Sequence, residues 1–489
     1  LIATNNAVPI VFATNYVERM RIDSSGNVII ANTGGTLSTA TAGTGNFRAG
    51  VNAGNSIASG GNYNTVVGDE AGTAQTTGTQ MTAVGYGAAA ANTTASNNSA
   101  FGYAALGANT TGSANVAIGS EALGANTTAN FNIAVGYQAL DASTTGGYNV
   151  AIGVAALGAN TTGTQNVAVG AYSLDANTTA SSNSAFGHAA LGTNTTGTQN
   201  VAIGTYALVA NTTGSNSIGI GSGALGANTT GFNNVAVGFE ALDANTTGAG
   251  NVAIGLQALG ANTTANFNIA VGYQALDANT TGAYNAAIGF AALGANTTAS
   301  NNSAFGHAAL GANTTGFSNV AVGFEALDAN TTGISNVAIG TSALGANTTA
   351  SNNSAFGYAA LDANTTGTQN VAIGTAALGA NTTANNNIGI GYSALGANTT
   401  AGENIAIGTL SLDANTTGGA NVAIGSAALG ANTTAGANVA VGYLSLQANT
   451  IGIENTAVGA YSLDASTTAI RNSAFGYAAL SATTTGTQN

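Results

Sequence analysis

A glycine returns every 17 residues along this chain, at Gly68, Gly85, Gly102 and onward to Gly476, without one slip. From Asn64 to Gln488 the sequence is 25 copies of a 17-residue unit, one of which is Asn200-Val-Ala-Ile-Gly-Thr-Tyr-Ala-Leu-Val-Ala-Asn-Thr-Thr-Gly-Ser-Asn216. A fixed period of this kind restricts a chain to architectures in which each copy packs mainly on its neighbours. Numbered from the first Asn, position 5 is Gly and position 4 is Ile, Val or Phe in all 25 copies, and position 9 is Leu in 23.

The unit reads as β rather than helical. Val201 and Ile203 share one face of a strand while Ala202 points to the other. A glycine in every copy and paired threonines would weaken a helix. Seventeen residues suit one coil of two short strands and two corners. The expected fold is all-β, a parallel β-solenoid or β-roll of 25 coils. At ~4.8 Å per coil it would be a rod on the order of 120 Å long.

Differences among the copies carry further information. Position 4 is Phe at Phe101, Phe186, Phe305, Phe356 and Phe475, and position 2 is then always Ser: Ser99, Ser184, Ser303, Ser354 and Ser473. Elsewhere position 2 is mostly Val or Ile. A large ring beside a small residue fills about the volume of two aliphatics, so positions 2 and 4 share a packed face, expected to be the core. Position 3, Ala in 22 copies, would then form an outward stripe of small apolar residues. Burying that stripe around a three-fold axis predicts a parallel homotrimer, unless a second layer of the same coil covers it. The Asn columns at positions 1 and 12 are expected to bond along the axis as ladders. The invariant position-5 glycine implies φ > 0 or close backbone approach, and position 15, Gly or Ala, requires only smallness. The position-10 aspartates, such as Asp141 and Asp175, never fall in adjacent coils, as expected if like charges one strand apart repel.

Composition excludes several functions. Asp, Glu, Lys and Arg make up 4% of the 489 residues, against about 25% in ordinary globular proteins. The net charge is −13, there is no lysine, and the only cations are Arg19, Arg21, Arg48 and Arg471. Such a chain cannot neutralise phosphates, so no nucleic-acid partner is expected. No apolar run is long enough for a transmembrane helix, and no membrane insertion is expected. With no cysteine, disulfides and thiolate metal sites are impossible. Residues 1–63 hold three of the four arginines and read as a small β cap or junction. Strands are expected at Pro9–Thr14 and Arg19–Asp23, followed by a turn at Asp23–Asn27. Residues 64–489 form the repeat domain, and Asn489 is the first position of a further coil, so the array is expected to continue.

The recurrent Asn-Val-Ala-Ile-Gly and its variants resemble the head repeats of YadA-like trimeric autotransporter adhesins. That resemblance implies a left-handed parallel β-roll assembled as a trimer, although the period here is longer and neither stalk nor anchor barrel is present in this sequence. The segment Glu18-Arg-Met-Arg-Ile-Asp-Ser-Ser-Gly-Asn-Val28 is similar to one common in bacteriophage tail-fibre proteins. Together they imply a structural fibre shaft, extracellular on a virion tail fibre or a bacterial surface, that mediates or supports attachment to a host cell. The alternative is a bacterial surface adhesin or extracellular filament.

Chemistry is sparse. His188 and His307 lie seven coils apart and cannot share a site. No catalytic constellation, metal set or phosphate loop can be assembled, so no enzyme activity and no cofactor are expected. Twenty Asn-Thr-Thr sequons run from Asn92 to Asn432 and read more simply as corner columns. An ice-binding solenoid would need outward Thr at i and i+2, but positions 13 and 14 are adjacent. The candidate receptor contacts are the position-6 tyrosines Tyr103, Tyr137, Tyr273, Tyr358, Tyr392 and Tyr443. If exposed, they could stack on a host glycan or bind a protein receptor; inter-chain or corner packing is the competing explanation.

Overall fold

The structure, a computed structural model, describes residues 10–14, 17–25, 28–29 and 41–489. It is all-β, a parallel solenoid of about 25 turns with no helix among the described residues, and hence no helix long and apolar enough to cross a membrane. The chain divides into two compact units, residues 1–181 and 182–489.

The first unit opens with an antiparallel sheet of β1 (Ile10–Thr14), β2 (Val17–Ile22) and β3 (Val28–Ile29), in that order. The Asp23 carboxylate accepts the Ser25 N–H at 2.9 Å in the turn after β2, as the sequence leads one to expect. Pro9, Gly26 and Asn27 lie outside the described residues. The parallel ladder then runs through eight three-residue strands, from Phe47–Ala49 to Val167–Val169. It therefore starts upstream of residue 64: Phe47 pairs with Thr65. That first coil spans 18 residues, with the Asn64 N–H donating to Asn46 Oδ1. The second unit carries eighteen such strands, from Ser184–Phe186 to Ser473–Phe475.

Successive strands pair in register. Val201, Ala202 and Ile203 face Ile218, Gly219 and Ile220 of the next coil. Strand alternation does put positions 2 and 4 on one face, but that face is outside. Ala202 and Leu208 are 0% exposed, whereas Ile203 is 40% exposed. This corrects two expectations at once: positions 2 and 4 are not the core, and the position-3 alanines are not an outward stripe. A second layer of the same coil covers them. A β-carbon placed on Gly219, at position 3, would meet the Leu208 side chain at 3.3 Å. The lumen is one leucine deep, so alanine fits opposite leucine, and the larger Val66 is buried at position 3 only in the first copy, where position 9 is Gly72.

The expected second strand is also absent. Each coil has one strand, and its return segment is a run of turns in which Tyr206, Leu208 and Asn216 have φ near 58°, 53° and 59°. Coils remain bonded along the axis there: Leu208 N–H donates to Ala224 O at 2.9 Å and Thr212 N–H to Thr229 O at 2.9 Å. The left-handed residues interrupt the extended backbone that a strand requires while leaving neighbouring N–H and C=O groups aimed at the adjacent coil.

Both asparagine columns are fully buried, and each forms a ladder. At position 12, Asn211 Nδ2 donates to Asn194 Oδ1 at 2.8 Å and to Gly214 O at 3.0 Å. At position 1, the Asn183 side-chain oxygen accepts the backbone N–H of Asn200 at 3.0 Å. The position-5 glycine satisfies both of its expected constraints: Gly204 has φ 130°, and a β-carbon there would lie 2.6 Å from the Gly221 carbonyl.

Candidate functional site

Position 6 follows the glycine corner, and all six candidate tyrosines are exposed, from 44% at Tyr273 to 62% at Tyr358. Their surroundings divide them. In the first unit Tyr103 stacks on Tyr86, with ring centroids 5.7 Å apart and planes 9° from parallel. In the second unit Tyr273, Phe290, His307 and Phe324 form one continuous stack with centroid separations of 5.4, 5.1 and 5.0 Å. Tyr443 meets Tyr461 edge-on at 5.4 Å. A ring inside such a stack offers a ligand its edge, whereas Tyr103 and Tyr273 end their stacks and have an aromatic ring against one face only. No aromatic ring contacts Tyr137, Tyr358 or Tyr392 among the described residues. The flanking position-6 residues are Ser120 and Val154 for Tyr137, Thr341 and Thr375 for Tyr358, and Thr375 and Thr409 for Tyr392. Only these three of the six lack an aromatic neighbour, so the six do not form one site.

Sequence reasoning missed a second ring column, at position 17. Phe131 stacks on Tyr148 at 5.0 Å, and Phe267 on Tyr284 at 5.4 Å. A search for aromatics exactly one period apart would have found it.

It also missed two troughs. Positions 7 and 10 lie side by side on the coil surface, and where both are small a groove opens between them. The larger, about 540 Å³, passes Ala376, Gly379 and Gly396, with Tyr392 in its wall and Asp362 and Asp413 along it. The smaller, about 450 Å³, lies in the first unit and contains Glu121 and Asp141. Partial burial, as the largest cause, raises the Asp141, Asp362 and Asp413 carboxyls above their ordinary value. For Asp141 the Glu121 and Asp175 charges act in the same direction.

The aspartate spacing acquires a steric component. Asp141 and Asp175 flank Gly158, and a β-carbon on that glycine would lie 3.0 Å from Asp175 Oδ1 and 3.7 Å from Asp141 Oδ1. The same arrangement recurs over Gly260, between Asp243 and Asp277, and over Gly345, between Asp328 and Asp362. Each pair leans over an intervening glycine.

The remaining polar columns are structural. The sequon asparagines are buried and bonded within their ladder, leaving no amide for a glycosyltransferase in the folded chain. Position-13 hydroxyls bond along the axis, as Thr212 Oγ1 does to Thr229 O at 3.1 Å. Thr213 at position 14 is exposed, so the paired threonines supply one outward row rather than two. Among the described residues no group of three or more His, Cys, Asp or Glu side chains could hold a metal ion. The chain matches no family model, no curated protein and no solved structure.

Proposed function

We propose that this chain is a shaft segment of a homotrimeric surface fibre, of the tail-fibre kind, that supports attachment to a host cell. The observation that carries the reading is the outward face of the strands. Coil after coil presents Val or Ile at position 2 and Ile, Val or Phe at position 4, and many of the position-4 residues are about 40% exposed. An uninterrupted apolar strip over many coils exceeds what a soluble monomer ordinarily leaves to water. The Ser–Phe compensation lies on this same strip. Volume compensation is expected where side chains meet a packing partner and has no purpose against solvent. A second copy of the chain offers an identical, in-register strip, and closed symmetry lets every copy bury its own.

Three-fold rather than two-fold closure rests on the resemblance to trimeric adhesin heads, and the tail-fibre setting on residues 18–28. A bacterial surface adhesin would use the same shaft. Position-13 hydroxyls engaged within the fold disfavour an ice-binding surface. Sedimentation equilibrium of the full chain should give a trimer that withstands dilution; a monodisperse monomer at micromolar concentration would overturn the assembly. Replacing Ile203, Ile220 and Ile254 together with aspartate should dissociate the trimer while leaving the β signal of the coils unchanged.

A further inference from the structure

The Ser–Phe coils carry information that the other coils lack. Ser354 and Phe356 sit in register between Val337 and Ile339 of one neighbouring coil and Val371 and Ile373 of the other. Phe356 is 37% exposed, as open as Ile339 at 38% or Ile373 at 41%, so its own chain provides the ring with no pocket. In the shaft proposed above, on which this inference rests, copies related by rotation about the fibre axis run their strands the same way round it. Position 4 of one copy then meets position 2 of the next at the same level. At matched levels Phe356 fills the space left by the partner's Ser354. One coil out of step it would meet the partner's Val337 or the partner's Val371, and Ser354 would leave a gap against an isoleucine. Overpacking and voids both cost stability.

Register needs such a device. Outside these coils position 2 is Val or Ile apart from Thr65, Thr82, Ala286 and Thr456, and position 4 is always Val or Ile. Copies could slide by whole coils and keep nearly every contact. The Phe coils, however, are unevenly spaced. Within the second unit Phe186, Phe305, Phe356 and Phe475 are 7, 3 and 7 coils apart, so no offset except zero superposes more than two of the four. Phe101 is the corresponding residue of the first unit.

We propose that the Ser–Phe coils set the register of self-association. Each phenylalanine seats over the serine of the same coil in an adjacent copy, and this excludes whole-coil offsets.

The chain has no cysteine, so single cysteines can report the offset through disulfides, which require Cα atoms within about 7 Å. One full chain carries Val235→Cys. Its co-expressed partner carries Val237→Cys, which reports zero offset, or Ile203→Cys, which reports two coils. Two otherwise unaltered chains should cross-link through Val237→Cys alone. In a second version of the partner, the five Ser–Phe pairs are changed to Val–Ile and rebuilt two coils upstream, from Thr65→Ser with Val67→Phe to Val439→Ser with Val441→Phe. These changes lie on the outward face, and circular dichroism should show the coils intact. Cross-linking to the Val235→Cys chain should then move to Ile203→Cys, by at least roughly tenfold. Cross-linking that stays at Val237→Cys would overturn the register role, as would equal reaction of both reporters in the unaltered chains. Sedimentation separates the two readings. A monomeric parent overturns the shaft and the register with it, whereas trimers that ignore the moved pairs overturn the register alone.

Discussion

Asn211 Nδ2 donates to Asn194 Oδ1 at 2.8 Å across one coil boundary, with both side chains fully buried. The bond is one rung of a ladder, and Asn211 Oδ1 in turn accepts from Asn228 at 2.8 Å. Removing the amide leaves partners on both sides without water to replace it. Asn211→Ala should therefore cost about 1–3 kcal/mol. Asn211→Ser should be milder, since Ser143 occupies the same position and donates to Gly146 O at 3.3 Å. Chemical denaturation of the two variants against the parent checks the order.

Glycines at two positions should respond differently to the same change. Gly204→Ala places a methyl group 2.6 Å from the Gly221 carbonyl at φ 130°, and should cost at least about 3 kcal/mol. Gly214→Ala, at position 15, should cost less even though a β-carbon there would lie 2.3 Å from the Gly231 carbonyl oxygen, because its φ is not positive and Ala129 and Ala180 already occupy that column. Equal thermal shifts for the two would contradict the backbone conformation described for position 5.

Ser303 and Phe305 share the outward face, with Phe305 38% exposed. Ser303→Val should change little in an isolated chain. In an assembly packed on that face it should overpack the interface by about 1–3 kcal/mol, and adding Phe305→Ile should relieve most of the effect. Melting temperatures measured across a dilution series separate the two cases. A loss of stability independent of concentration would return these residues to an internal core.

The position-10 carboxylates make stability depend on pH in an unusual direction. Burial raises the Asp243 and Asp277 carboxyls in the folded chain above their value of 3.8. The folded state then binds more protons than the unfolded one across the window from the unfolded value to the raised folded one. Stability from these groups is present at low pH and lost as pH rises through that window. Asp277→Asn should raise the melting temperature at pH 7, with the gain shrinking toward pH 4. A gain that grows on acidification would show that the carboxylate is stabilised by folding instead.

Whole coils should be removable. Deleting Ser217–Gly250 takes out two complete periods and rejoins Asn216 to Asn251, preserving every type of neighbour contact. The chain should fold and lose about 10 Å of stack. Deleting 16 residues instead should shift strand register and fail to fold. Small-angle scattering and circular dichroism distinguish the outcomes. Host-cell binding that disappears with a well-folded two-coil deletion would place the receptor contact on the shaft.

The sequence by itself determined the period, the parallel stacking, the invariant glycine corner, the Asn ladders and the pairing of positions 2 and 4 on one face. Each follows from copies that must meet the same contacts 25 times. It also contained the run Tyr273, Phe290, His307, Phe324 at one period, from which face-to-face stacking could have been read. Only the tertiary structure decided which face is inside. Strand alternation sorts residues into two sets but does not name the inner one, and the larger aliphatics are the natural choice when burial alone is considered. The choice was made by the space between the strand and its return segment, which holds Leu208 and leaves room only for Ala202. The left-handed backbone at Leu208 was equally invisible, because leucine is not a residue that favours it. Its conformation follows from the turn of a short coil and from the axial hydrogen bond to Ala224, both set by the neighbouring coil rather than by the residue's own preference.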